Sequence, residues 1–426
     1  MLNDMTPRIA FGLYNLLWSC TVPWLRLNHR LAEGYQQRRL KPVLPVADIW
    51  IQAASAGESY LALEIIKTLK VDRMVKVLVT SNTSQGIDIL NRALADQGSR
   101  REKIHVSVAY FPFDKPALMR KAVAAIRPAA MVLLETEIWP GLLRALKQHH
   151  CKTIIINGRI TDRSLKRYQL WPSIWPQLRP ARVLAISPVD AARFKQLFGP
   201  DGIETMPNIK FDRLASAAAS ADHPNRIKDL VPGGLTFAVL ASVRRQEEPL
   251  VKEIIIEILG NRPQTVIGLF PRHLHRIRSW QDLLNQAGIR WSLRSEAKTP
   301  ARAGTVILWD TFGELLLAYE LCQSAFVGGS LAPLGGQNFL EALVSGIRPV
   351  IGPSWENFAW VGDEIVDSGL LRIAPNWQEV AACLLRDMDR PSSREDVNNR
   401  AMEYIRTHQG GTAKACREIA ACLEGN

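Results

Sequence analysis

No two of the six cysteines, at 20, 151, 322, 383, 416 and 422, form a C-x-x-C pair. That spacing excludes a disulfide scaffold and a cysteine-based zinc site, and it fits a reducing cytosol. The eight histidines include no H-E-x-x-H, and the His273/His275 pair on a turn is no ligand set, so no metal site is expected. A G-x-S-x-G elbow is missing, which leaves a serine hydrolase without its anchor. Neither G-x-G-x-x-G nor a P-loop occurs, so NAD-dependent and Walker-type chemistry are unsupported. No repeat with a period of about 20 to 50 residues is visible, which excludes a solenoid. An A-x-A cleavage site is also absent, so no removed signal peptide is read.

Positive charge, by contrast, is in excess. Lys and Arg number 53 against 41 Asp and Glu, a formal net charge of +12. The excess points to anionic partners: nucleic acid, phospholipid, or phosphorylated and carboxylated small molecules. There is no long block of Lys and Arg, no zinc finger, RNP aromatic pair or GXXG clamp, so a nucleic-acid partner is not expected. An apolar fraction of 47% and a charged fraction of 22% are those of a globular protein. A chain of 426 residues exceeds what one core usually supports, so two domains are expected.

The segment Ile9 to Leu25 runs 17 residues without a charge, just short of the ~20 that span a bilayer as a helix. Three readings fit it: a spanning anchor, an interfacial helix with Trp18 and Trp24 at headgroup depth, or a buried helix. Arg26, Arg30, Arg38, Arg39 and Lys41 follow, against the single acid Glu33. By the positive-inside rule the main body then lies on the cytoplasmic side. We take residues 1–41 as a membrane-associated segment.

From Ile49 onward, apolar β-rich runs alternate with helical patterns. The runs are "IWIQAA", "VKVLVT", "IHVSVAYFP", "AAMVLLE", "KTIIING" and "RVLAIS", separated by segments such as "SYLALEIIKTLK" with apolar residues three and four apart. Strands apolar throughout and divided by helices predict a parallel sheet covered on both faces. The alternation lapses in the Ala-, Ser-, Pro- and Gly-rich stretch 215–234, read as a linker. It resumes with "LTFAVLAS", "QTVIGLFP", "TVILWD", "SAFVGGS" and "RPVIGP". The expectation is α/β: Rossmann-like domains over 42–214 and 235–400 facing a central cleft, then one C-terminal helix over 401–426 that packs back on the first.

In open parallel sheets, ligands bind beyond the carboxyl ends of the strands. In the first half, "QAASAGESYLAL" turns on Ser55-Ala56-Gly57 and places Glu58 at the mouth of a helix. Capping of that helix explains Ser55 and Glu58, and a role in chemistry is compatible with it. In the second half, "FPRHLHR" offers Arg272, His273 and His275, and "DTFGEL" opens a helix. The run "VGGSLAPLGGQNFLEAL" meets a strand end with two glycine pairs, where free N–H groups would receive a phosphate oxygen. Asn338 and Glu341, three apart, share a helix face and suit a ribose.

In this order the motifs resemble the 3-deoxy-D-manno-octulosonic acid (Kdo) transferases of bacterial lipid A assembly. The likeness runs through "SAGES", "ETEIWPGLL", "NGRITDRSLKRY", "NIKFD", "PRH", "DTFGEL", "FVGGSLAPLGGQNFLEAL" and "GPSWENF". It implies a GT-B glycosyltransferase on the cytoplasmic side of the inner membrane, in lipopolysaccharide biosynthesis. Such enzymes move Kdo from CMP-Kdo to a hydroxyl of a phosphorylated lipid A precursor, lipid IVA, with inversion and without a metal or other cofactor. By motif position, Glu58 is implied as general base, with Glu135 and Lys210 as transition-state stabilisers. Pro271, Arg272, Gly313, Glu314, Leu315, Asn338 and Glu341 are implied to hold CMP. The chain departs from the pattern at Ala56, where Val is usual, at Gln337, where His is usual, and in "ASVRRQEE". There Arg244 and Arg245 restore positive charge. A relative using another nucleotide-activated acidic sugar or another acceptor is the alternative, or a catalytically silent membrane-associated nucleotide-binding homologue.

Overall fold

The computed structural model describes residues 2–97, 103–218 and 225–424. Two compact units divide the chain: Met1–Arg213 with His408–Asn426, and Leu214–Thr407.

The first unit is built on β1 (Ile49–Gln52), β2 (Val75–Ser81), β3 (Ile104–Tyr110), β4 (Ala130–Leu134), β5 (Lys152–Gly158), β6 (Arg182–Ala185) and β7 (Ile203–Thr205). They form one parallel sheet in the order β3-β2-β1-β4-β5-β6-β7. Alternate residues feed opposite cores, which is why the central strands carry apolar residues on both faces. Trp50, Leu78, Met131, Leu133 and Ile155 pack on one face. Ile49, Ile51, Val77, Val79, Val132 and Ile154 pack on the other.

The second unit repeats the plan with β8 (Thr236–Val243), β9 (Thr265–Pro271), β10 (Arg290–Leu293), β11 (Thr305–Leu308), β12 (Ser324–Val327), β13 (Pro349–Ile351) and β14 (Arg372–Ile373). Its order is β10-β11-β9-β8-β12-β13-β14, again parallel. The chain order reverses between β1 and β4 in the first sheet and between β8 and β12 in the second, where β10 in addition lies outside β11 at the edge. A crevice forms at such a reversal because the connections leave to opposite sides.

The C-terminal stretch is two helices, not one. Arg394–Thr407 ends in the second unit, and Gly411–Glu424 follows after Gly410, whose φ of 104° breaks the helix. The last helix lays Ala415, Cys416, Ile419 and Cys422 into the core of the first unit. Asp212 fixes its start, accepting from the N–H of Gly410 at 2.8 Å and of Thr412 at 2.6 Å. Helix Ile209–Ala218 runs into the stretch read as a linker, of which residues 219–224 lie outside the described residues.

The N-terminal helix Leu2–Leu25 corrects the spanning reading: among the described residues no helix is long and apolar enough to cross a membrane. One side of it belongs to the protein instead. Phe11 is buried in the core of the first unit, and Tyr14 donates to the buried carboxylate Asp114 at 2.9 Å. Leu13, Leu16 and Leu17 are each at least 60% exposed, and Trp24 is 71% exposed.

Candidate active site

In the first unit the acidic groups gather at the reversal point. Glu58 follows β1 by six residues, and Glu135 immediately follows β4, the strand paired with β1. Helix Ala56–Thr68 begins there because Ser55 caps it, its hydroxyl oxygen accepting from the Glu58 N–H at 3.4 Å. The Glu58 carboxylate reaches back over the same turn. It accepts from the Ala54 N–H at 2.7 Å and from the Ser55 hydroxyl at 3.0 Å. The capping role is therefore real, and it orients the carboxylate.

Burial pushes the Glu58 carboxyl up to about 8, with the charges of Glu137 and then Glu135 adding to it against the two hydrogen bonds. Glu135 sits in the left-handed region at φ 55° and pairs with Lys210 at 2.7 Å. Lys210 is placed by two asparagines. Asn157, at the end of β5, accepts from the Ile209 N–H at 3.0 Å, and Asn208 accepts from the Lys210 N–H at 3.0 Å. Glu58, Glu135 and Lys210 are thus brought together from three separate segments. Glu137 joins them, a residue the motif reading did not single out, although it lies in "ETEIWP" two residues after Glu135.

The second unit collects its candidates at the carboxyl ends of β9, β11 and β12. Pro271 closes β9, and the Arg272 side chain is exposed while its N–H donates to Val243 at 2.9 Å. Arg244, Arg272 and His275 press on His273, whose basicity falls, burial contributing most and these neighbours the rest. The His273 and His275 rings lie nearly parallel, 5.5 Å apart. Among the described residues neither Arg244 nor Arg272 has a carboxylate partner, whereas Arg276 is neutralised by Glu248 at 2.6 Å. This is a cationic patch available to an anion.

Gly313, at φ 83°, and Leu315 flank Glu314, whose carboxylate is buried and already occupied. It accepts from Arg294 at 2.8 Å, from Trp309 at 2.9 Å and from Thr311 at 3.2 Å. Burial raises this carboxyl, but the Trp309 and Arg294 donors outweigh it and hold it below its ordinary value. Its side chain shapes the loop. Asn338 lies just before helix Leu340–Val344 and so shares no helix face with Glu341, but its amide donates to Glu341 at 2.7 Å.

The glycine pairs need a correction. Their N–H groups are not left for a phosphate, because the protein fills them. The fully buried Glu247 accepts from Gly329 at 2.5 Å, from Ser330 at 2.8 Å and from Leu331 at 2.8 Å. Gly335 donates to Ser354 at 2.8 Å and Gly336 to the Gly329 carbonyl at 2.6 Å. Among the described residues, the N–H groups of Gln337, Asn338 and Phe339 donate to no protein acceptor. Of these, Gln337 and Asn338, just beyond the glycines, are part-exposed, whereas Phe339 is buried. Glu247 was visible in "RRQEE" only as one acid among charges; its partners are more than 80 residues away in the chain.

A family profile, 3-deoxy-D-manno-octulosonic-acid transferase (kdotransferase), matches residues 26–213. The chain is 29% identical to a 3-deoxy-D-manno-octulosonic acid transferase of Bordetella pertussis, over 88% of this chain and 87% of that one. It is 26% identical to a 3-deoxy-D-manno-octulosonic acid transferase of Haemophilus influenzae, over 94% and 93% of the two chains. Among solved structures, a glycosyltransferase from Rickettsia africae superimposes with a TM-score of 0.57 at 10% identity, covering 90% of this chain and 100% of that one; that likeness concerns the fold alone. Residues 26–213 thus match the 3-deoxy-D-manno-octulosonic-acid transferase profile, and the chain, built of two parallel α/β units, is similar over most of its length to glycosyltransferases of that name.

Proposed function

We propose that this protein transfers Kdo from CMP-Kdo to a hydroxyl of a phosphorylated lipid A precursor, with inversion at the anomeric carbon and no required metal. The first unit takes the acceptor and the second the CMP-sugar. The observation that carries the reading is the Glu58 carboxyl, oriented by Ala54 and Ser55 and held near 8, beside the Glu135–Lys210 pair. A carboxylate of raised basicity is suited to take the proton of an attacking hydroxyl. Lys210 stabilises negative charge that develops at the transferred sugar, and the Arg244–Arg272 patch that of the departing phosphate. Incubation with CMP-Kdo and tetra-acylated lipid A precursor in excess EDTA, read by mass spectrometry, tests it. A product heavier by one or more Kdo residues is expected, and its absence overturns the reading.

For Arg272→Ala the expected outcome is donor affinity lowered by roughly tenfold or more, as for loss of a hydrogen bond to a charged group of about 1.5–3 kcal/mol, with the turnover at saturating donor much less affected. Calorimetric titration with CMP checks it. Unchanged CMP affinity contradicts the phosphate role.

The same reading places the protein on the cytoplasmic side of the inner membrane. Leu13, Leu16 and Leu17 form an exposed apolar stripe on the N-terminal helix, followed by Arg26 and Arg39. Moving such a stripe into the interface gains on the order of 1 kcal/mol or more per leucine. Changing the three leucines to serine is expected to reduce flotation with anionic vesicles several-fold while leaving the melting temperature in place.

A further inference from the structure

Glu137 stands beside Glu58 in a manner the family motif does not explain. Its Oε2 accepts from the Trp139 indole at 2.6 Å and from the Gln52 amide at 3.2 Å. Gln52 is itself locked, since its carbonyl oxygen accepts from the Thr80 hydroxyl at 2.6 Å, and that hydroxyl accepts from the Trp50 indole at 2.8 Å. Trp50, Gln52 and Thr80 are fully buried. One oxygen of Glu137 is thereby fixed by a buried chain of donors, and among the described residues Oε1 accepts from none. Gln52 and Ala54, which grip Glu137 and Glu58 respectively, are two residues apart at the end of β1.

We propose that Glu137 is the fixed, positioning member of a carboxylate pair with Glu58, its charge tightening the hold of Glu58 on the proton that Glu58 receives from the acceptor. The inference rests on the reading of Glu58 as general base. In the transfer, the acceptor O–H bond breaks and its proton goes to Glu58. The oxygen's electron pair forms the bond to the anomeric carbon, and the bond from that carbon to the phosphate breaks with its pair leaving on CMP. An ordinary carboxylate, near 4.3, is a weak base for an alcohol. A second, immobile negative charge beside it strengthens its hold on the proton.

The charges around the pair agree with this. Burial contributes most to the raised Glu58, Glu137 comes next and Glu135 after it. Glu135 is already paired with Lys210. Glu137 is itself raised, by burial foremost, against the Trp139 and Gln52 donors. Tyr168 faces Glu137 from helix Asp162–Tyr168, with Arg167 next to it, and its hydroxyl is raised by burial and then by Glu137.

The test is the pH profile of Glu137→Gln, an isostere that keeps an acceptor for Trp139. Removing the fixed charge lowers the midpoint at which Glu58 loses its proton. The ratio of variant to wild-type kcat/KM is therefore expected to rise about threefold or more between pH 8.5 and 6.5. Glu137→Asp, which keeps the charge, is expected to retain the wild-type profile. In parallel, the 13C-carboxyl signal of Glu58, assigned by its loss in Glu58→Gln, is expected to titrate at lower pH in Glu137→Gln. A merely structural Glu137 predicts instead the same loss at every pH and an unmoved Glu58 midpoint, and that pair of results overturns the proposal. The carboxyl titration needs no turnover. If the wild-type protein transfers no sugar, the proposed function fails while the titration still decides the pair. Glu137→Ala, read the same way, serves if the glutamine variant does not fold.

Discussion

Glu58→Gln is expected to lower turnover by about 10²–10⁴-fold, the span of a positioned general base, while CMP affinity stays within about twofold. The donor-side groups lie in the other unit, so the substitution removes a proton acceptor and no donor contact. Stability should move the opposite way from activity. Because the folded protein holds Glu58 protonated up to about pH 8, whereas the unfolded chain releases it near 4.3, the folded state carries an extra proton between those values. Stability attributable to this group is therefore greatest at low pH and declines as pH rises through that window. The glutamine variant has no such decline. Its melting temperature is expected to exceed that of the wild type at pH 8, with the gap closing toward pH 5. A variant less stable than wild type at pH 8 and fully active would leave Glu58 as a cap and nothing more.

Glu247→Ala should produce the largest loss of stability of any single change considered. The substitution strands the N–H groups of Gly329, Ser330 and Leu331, all gathered on one buried carboxylate, and releases the Arg244 N–H that Glu247 also receives at 3.2 Å. A buried donor left without an acceptor costs about 1–3 kcal/mol, so the sum is on the order of 3 kcal/mol or more. For a unit of this size that corresponds to a fall in melting temperature on the order of 10 °C. CMP affinity should fall with it, because the same carboxylate ties the segment carrying Arg244 to the loop that leads to Gln337 and Asn338. Glu247→Gln should lie between, since an amide retains one acceptor and turns an N–H toward donors. Thermal unfolding with and without CMP measures both effects, and a shift below about 2 °C in Glu247→Ala would show that the loop holds its shape by other means.

Much of this architecture was legible before any coordinates. Runs such as "AMVLL" in β4 and "III" in β5 are apolar at successive positions because both faces of these strands are covered, as in a buried parallel sheet. The strands the pattern passed over are short sheet members at or near the edges: β7, β10 and β14. Their residues are half exposed and charged, as in "RWSL" and "RI". An edge has neighbours on one side only and does not impose the apolar run.

The candidate site divides along the same line. Ser55 and Glu58 were readable because capping is local, decided within one turn of helix. Glu247 was not, since a carboxylate that serves a loop more than 80 residues away looks like any surface acid until the chain is folded. The glycine pairs misled for the same reason: glycine permits a tight approach but does not say which partner makes it, and here the partner is the protein's own side chain.

The two parallel α/β halves, the order of the transferase-like motifs and the Ser55–Glu58 turn were readable in the sequence, because periodicity, motif order and capping act between residues near one another in the chain. Only the tertiary structure decided that β1 and β4 are neighbours, and with them that Glu58, Glu135, Glu137 and Lys210 share one site. Strand order is fixed by which apolar faces cover one another across the whole unit, and the proton affinity of Glu58 by the burial and charge that this packing creates.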